Sequence, residues 1–227
     1  MNITTTGLTR AAGLCAAAAG SIFIAVQINH PPMVVSSTTT TEWVIRNAAK
    51  GVMAALALVG ITGLYLRQVR QAGLLGLIGY LLFGLGYLFI FGVEVISSSV
   101  LPALTDIAPG YVNDVLVAAA GGSPAGDIGG LQTVFDLNGF AFVAGGVLFG
   151  IALFRARVLA RWAAVLLALG TGATLALAVL PESFNRPIAI PTGIALIGLG
   201  ISLWRDQRKP AEQATSTPVA SEQSALR

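Results

Sequence analysis

The chain has 227 residues, 55% of them hydrophobic and only 10% charged, with a mean hydropathy of +0.81. Soluble domains carry about 25% charge, so this composition excludes the soluble classes and calls for an all-α membrane protein built as one helix bundle. The net charge of +3 does not announce a nucleic-acid partner, because the basic residues fall in short turns between apolar runs.

Runs of about 20 apolar residues mark bilayer-crossing helices. Six follow in chain order: Ala11–Asn29, Ala48–Leu66, Gly73–Leu101, Leu131–Phe154, Arg161–Leu180 and Pro187–Trp204. The first follows Arg10 like a secretory signal, but it ends in Gln27-Ile28-Asn29-His30-Pro31-Pro32 and not in a small-x-small cleavage site. It is therefore expected to remain as a helix. Between the third and fourth runs lies a long loop, 102–130, in which Tyr111–Ala120 is expected to form a short surface helix. A loop of that length is either a lid or plain cover. The bundle accounts for residues 1–208, and 209–227, rich in Pro, Ala, Ser, Thr, Glu and Gln, is expected to be a disordered tail.

The distribution of Lys and Arg orients the bundle. With the N-terminus cytoplasmic, that side holds Arg10, Arg67, Arg70, Arg155, Arg157, Arg161, Arg205, Arg208, Lys209 and Arg227, against Arg46, Lys50 and Arg186 opposite. The positive-inside rule thus places both termini in the cytoplasm, with a bacterial plasma membrane as the expected location. Gly150-Ile151-Ala152-Leu153-Phe154-Arg155 and Gly200-Ile201-Ser202-Leu203-Trp204-Arg205 share one pattern. A duplicated helical hairpin explains it; the plainer reading is that each inward-running helix ends in an aromatic and an Arg at the interface.

Within the third run, Glu94 is the exception. A carboxylate there costs roughly 2.5–3.5 kcal/mol unless it is paired, solvated or protonated, so it is the first place to look for function. Thr39-x-x-Glu42 matches a capping box that would open the second helix. From there Glu42, Arg46 and Lys50 share one face, which places Lys50 about 12 Å below the cap. Glu94 lies eight residues before Pro102, again about 12 Å deep. The two charges are expected to approach each other, since an unpaired charge at that depth is far costlier. Asp136 enters from the fourth helix, with Gln132 one turn away and Asn138 nearby. Tyr80 and Tyr87 precede Glu94 at heptad steps, on nearly its side of the helix, and Ser98 follows one turn beyond.

Each of these has a plain alternative. Arg46, Arg186, Glu182 and His30 serve equally as headgroup-level residues, the tyrosines as packing aromatics, and Lys50–Glu94 as a bridge that fixes helix register. With one Cys (Cys15) and one His (His30), the chain has no intrachain disulfide, no CxxC and no Cys/His zinc cluster, and no cofactor is expected.

The concrete functional expectation is acid catalysis on a hydrophobic, isoprenoid-like substrate. Glu94 is the general acid and Asp136 the second carboxylate; Lys50, Arg46, Tyr87, Tyr80, Phe91, Ser98, Gln132 and Asn138 are the substrate contacts. In size, polytopic form and use of membrane carboxylates the chain resembles the small integral-membrane terpene cyclases, although none of their motifs is matched residue by residue. Proton-coupled transport and a non-catalytic accessory or lipid-binding role are the alternatives. The expected partners are the lipid bilayer and a hydrophobic small molecule, with a homo-oligomer or membrane partner subunit left open and no nucleic acid.

Overall fold

The computed structural model describes residues 4–178 and 186–207. Thr4 opens α1 (Thr5–Ala25), its hydroxyl accepting the Gly7 N–H at 3.0 Å. Thr40 does the same for α2 (Thr41–Arg67), accepting the Trp43 N–H at 3.2 Å. The cap thus falls one residue after the Thr39-x-x-Glu42 box, and Glu42 is left to accept from Arg46 Nε at 2.9 Å. Only Gln68 separates α2 from α3 (Val69–Val95). The reversal is completed at Gly73, with φ 57° and ψ −157°, a conformation that a side chain makes prohibitive. Beyond Val95 the chain winds through a π-helical segment, Ile96–Val100, into α4 (Leu101–Leu104). There follow α5 (Pro109–Ala119), α6 (Gly130–Ala156), α7 (Arg161–Ala173) with a 3₁₀ extension Thr174–Ala178, and α8 (Ala189–Asp206).

No strand occurs among the described residues. Four helical stretches are long and apolar enough to cross a membrane: Thr5–Ala25, Thr41–Arg67, Val69–Leu104 and Gly130–Ala156. The fifth and sixth expected runs correspond to α7 and α8, which are shorter. The end of the fifth run, Glu182 and the expected disordered tail lie outside the described residues. The expected surface helix Tyr111–Ala120 is α5, starting at Pro109, whose missing N–H costs nothing in a first turn.

The long helices pack in cyclic order, α1 on α2, α2 on α3, α3 on α6, α6 on α7, α7 on α8, and α8 back on α1. Small residues make the last seam. A side chain on Gly13 would meet the Gly200 carbonyl at 2.8 Å, and one on Gly20 would run into the Gly193 carbonyl. Glycines seven residues apart on each helix thus let two backbones touch at two successive levels. The centre is filled by Met53, Ile61, Phe83, Tyr87, Phe149, Leu167, Leu196 and Leu199. One end of the bundle carries residues 26–40, 105–129 and 186–188 and is rich in loops; Arg67, Arg155, Arg157 and Arg205 collect at the other.

Candidate functional site

At the loop-rich end a cavity of about 660 Å³ opens between α2, α3, α5 and α6. Helix α2 presents Trp43, Asn47 and Lys50 to it, and α3 presents Ile90, Glu94 and, through its π-helical end, Ser97. Spacings of three and four residues keep each set on one helical face. Lys50 Nζ stands 3.7 Å from Glu94 Oε1, with the two side chains 14% and 13% exposed. The ammonium also donates to Asn47 Oδ1 at 2.9 Å, and Asn47 Nδ2 donates to the Trp43 carbonyl at 2.9 Å. The pair is therefore oriented by a chain of neutral groups on α2. Glu94 Oε2 is buried and has no hydrogen-bond partner.

The π-helical segment has a local physical cause. Widening the turn displaces carbonyls from the regular helical pattern, and Trp43 Nε1 donates to that of Ser97 at 2.8 Å. Ser98 Oγ donates back to the Glu94 carbonyl at 2.7 Å. The first contact joins α2 to the turn that follows the acid, and the second ties that turn back onto the helix that carries the acid.

The roof is α5. Val115, Leu116 and Ala119, with the succeeding Ala120 and Gly121, line the cavity from above. Val112, Val115 and Leu116 pack with Trp43, Leu101 and Ile128 in a second apolar cluster, separate from the bundle core. The Asp114 carboxylate accepts the Ala125 and Gly126 N–H groups at 3.1 Å, folding the following loop against the helix. From α6 come Phe135 and Asn138, and Arg186 reaches in from the turn before α8. The Asn138 Oδ1 atom is buried without a partner.

A second, mostly apolar hollow of about 420 Å³ runs along the outer surface between α2 and α3. Gly51, Val52, Ala55, Leu56 and Val59 form one wall, and Phe91 and Val95 the other. Asn47 and Glu94 line this groove as well as the cavity. The acid thus stands where a polar chamber meets an apolar channel.

The structure brings Lys50, Glu94 and Asn138 together on the cavity, and places Phe91 and Ser98 with Glu94 on the groove. It separates the others. Asp136 is exposed and accepts from Gln132 Nε2 at 3.0 Å, and neither lines the cavity. Arg46 is bound to Glu42 and donates to the Ile28 carbonyl at 2.6 Å. Tyr87 is fully buried among Phe83 and Phe142, its hydroxyl without a partner. Tyr80 stacks on Tyr65 with centroids 4.7 Å apart, and its hydroxyl lies 3.1 Å from that of Thr62. Neither tyrosine lines the cavity or the groove.

Trp43 and Asn47 line the cavity and are not singled out by sequence reasoning, which places Arg186 at headgroup level and not among the site residues. Asn47 is detectable in retrospect, since it shares a face with Trp43 and Lys50 at helical spacing. Arg186 Nη2 lies 3.0 Å from His30 Nδ1, which is also 2.7 Å from the Pro31 carbonyl. A neutral ring nitrogen serves one of these partners at a time. Burial first, and then the Lys50 charge, push the His30 pKa down to about 4, with the charges of Arg186 and Arg46 acting the same way and the Pro31 hydrogen bond opposing them. The imidazole is neutral at pH 7. Comparison with protein-family models, curated proteins and solved structures returns no match.

Proposed function

We propose that this chain is a six-span membrane protein, both termini cytoplasmic, that carries out cofactor-independent proton-transfer chemistry on a hydrophobic substrate of isoprenoid type. The lengths are compatible with six crossings. The 13 residues of α7 rise about 20 Å and its five 3₁₀ residues about 10 Å more, close to the roughly 30 Å of a hydrocarbon core. The 18 residues of α8 rise about 27 Å. The arginines of the loop-poor end suit the cytoplasmic face of a plasma membrane.

One observation carries the chemistry. Glu94 lines both the polar cavity and the apolar groove, with Oε2 unpartnered. A substrate entering sideways along α2 and α3 meets the acid before it meets bulk water. The Lys50–Glu94 pair holds its shared proton on either group, as ammonium and carboxylate or as amine and carboxylic acid, with no change in net charge. In the second form Glu94 transfers its proton to an alkene carbon or epoxide oxygen, giving a carbocation and a carboxylate. Internal attack by a second double bond closes a ring. Loss of a proton from the adjoining carbon forms the product alkene and returns the proton to Glu94. Asp136 is too exposed for that return step, so one carboxyl performs both transfers. The aromatic wall at Phe91 suits a transient cation.

The test is Glu94-dependent turnover. Purified protein in bilayers is incubated in deuterium oxide with a panel of polyprenyl alkenes and epoxides. Deuterium should enter carbon of the alkenes, and cyclic alcohols should form from the epoxides, with the native chain and not with Glu94→Gln. Equal turnover by the two proteins, or none across the panel, rejects the acid mechanism. A second reading is favoured by the cation excess of the cavity, where Lys50 and Arg186 face a single carboxylate. In that reading the protein binds an amphipathic molecule without transforming it.

A further inference from the structure

We infer that the molecule received at this site is a single-chain amphipath with a carboxylate head, its head held between Lys50 and Arg186 and its chain laid in the groove between α2 and α3. This rests on the proposal that a hydrophobic molecule enters beside Glu94, and it names the chemical class. The head follows from charge. Of the charged groups facing the cavity, two are cations and one is an acid. Glu94 pairs with Lys50 at 3.7 Å and its charge acts on Arg186 as well, while the hydrogen-bond partners of Arg186, Gln27 Oε1 at 3.4 Å and His30 Nδ1 at 3.0 Å, are neutral. Among the described residues no carboxylate lies within ion-pair distance of Arg186. Among the described residues one carboxylate thus serves two cations in a partly closed chamber, which favours a further anion there. One excess positive charge matches a monoanion better than a diphosphate. Asn138, whose buried Oδ1 is unpartnered, adds an amide able to turn its NH₂ toward the head.

The chain follows from shape. From Asn47 to Val59 the groove wall rises about 18 Å along α2, more than half of a hydrocarbon core. Beside the acid the groove has room, since even a Cβ added at Gly51 would make only ordinary contact, 3.9 Å from Glu94 Cβ. With head and chain so placed, Glu94 faces the first few carbons after the head, and that is where the reacting bond must lie.

The experiment uses the full chain in phosphatidylcholine nanodiscs. Trp162→Phe and Trp204→Phe leave Trp43, a cavity wall, as the single tryptophan. The probe is hexadecanoate carrying a nitroxide near its carboxylate, whose contact quenches Trp43. Unlabelled hexadecanoate, hexadecanol, hexadecylammonium and acetate compete. Hexadecanoate should displace the probe at about one tenth the concentration of the alcohol or ammonium, the effect of a charge-assisted hydrogen bond. Arg186→Gln should bring acid and alcohol together. Ala55→Phe, filling the groove, should weaken both. Acetate should not displace the probe, because a free anion has no chain to seat.

Equal competition by alcohol or ammonium overturns the inference, as does displacement by acetate or a lack of saturable quenching. Photo-crosslinking with a diazirine-bearing hexadecanoate in the unsubstituted chain gives the same ranking without the tryptophan changes. Preferential carboxylate binding without turnover leaves this inference standing and removes the catalytic reading. Turnover with no preference for the acid does the reverse.

Discussion

Removing Glu94 and removing the Lys50–Glu94 pair are different experiments. Glu94→Gln leaves the largely buried Lys50 ammonium uncompensated, and losing one partner of such a pair costs about 3–5 kcal/mol. Replacing both, as in Lys50→Met with Glu94→Leu, removes two desolvation penalties and is expected to be neutral or stabilising by about 1–4 kcal/mol. Denaturant unfolding of the reconstituted protein should therefore show one weakened variant and one restored variant. If the double variant is restored in stability but inactive, the pair is there for chemistry; if both activity and stability survive, it is a register device. His30 gives a separate prediction. Its pKa is held at about 4 in the fold against an ordinary 6.5, so the unfolded chain takes up the proton first as pH falls. The stability His30 provides is full above pH 6.5, declines as the pH falls toward about 4, and is gone below it. His30→Gln should flatten that part of the melting-temperature profile, and an unchanged slope would mean the ring is not shielded.

At the scale of elements, the apolar runs disclosed the long helices because burial or lipid contact along about 20 residues leaves a continuous signature. They disclosed the level of Lys50 and Glu94 too, since a helix rises by a fixed step and their neighbours in the sequence mark its ends. Azimuth was harder to read. Asp136 and Asn138 lie two residues apart, about 200° around α6, so only one of them can face the cavity. Asn138 does so, together with Phe135 one turn earlier, and Asp136 turns outward to Gln132. The π-helical turn was not legible because hydropathy carries no information about which carbonyl each N–H chooses. That turn depends on Trp43. Trp43→Phe keeps the apolar packing but strips the Ser97 carbonyl of its donor, and an unsatisfied buried acceptor costs about 1–3 kcal/mol. Hydrogen exchange should rise locally across 96–104 and α5, with the far ends of α2 and α3 unaffected. Uniformly faster exchange would mean that Trp43 supports the whole bundle and not this turn.

For the molecule as a whole, the cyclic order of helices makes the seam between α1 and α8 the place where the ring closes. Gly200→Leu introduces a side chain where a Cβ alone would stand 2.6 Å from the Ala17 nitrogen. Overpacking typically costs about 1–3 kcal/mol, and backbone has little freedom to retreat. The variant should unfold at lower denaturant with any activity that depends on Lys50 and Glu94 impaired only in proportion to the folded fraction, since that pair stands on α2 and α3 and not on this seam. A selective loss of activity in fully folded protein would show instead that the seam transmits to the site.

The sidedness of the ring follows from the same architecture. Arg155 and Arg157 at the turn between α6 and α7 stand at the opposite end from Asp106, in the loop before α5. If six helices cross with the arginine-rich end inside, a membrane-impermeant maleimide applied to intact cells should label Asp106→Cys and spare Arg157→Cys, each in a Cys15→Ser background. Lysed cells should label both. Labelling of Arg157→Cys but not Asp106→Cys would invert the bundle and turn the cavity toward the cytoplasm. In the six-span reading a single crossing, α6, separates the two positions, so labelling of both in intact cells would mean that α6 does not span. The first outcome places the Glu94 chamber under the outer leaflet, where a single-chain carboxylate sliding between α2 and α3 arrives with its head already at the level of Lys50.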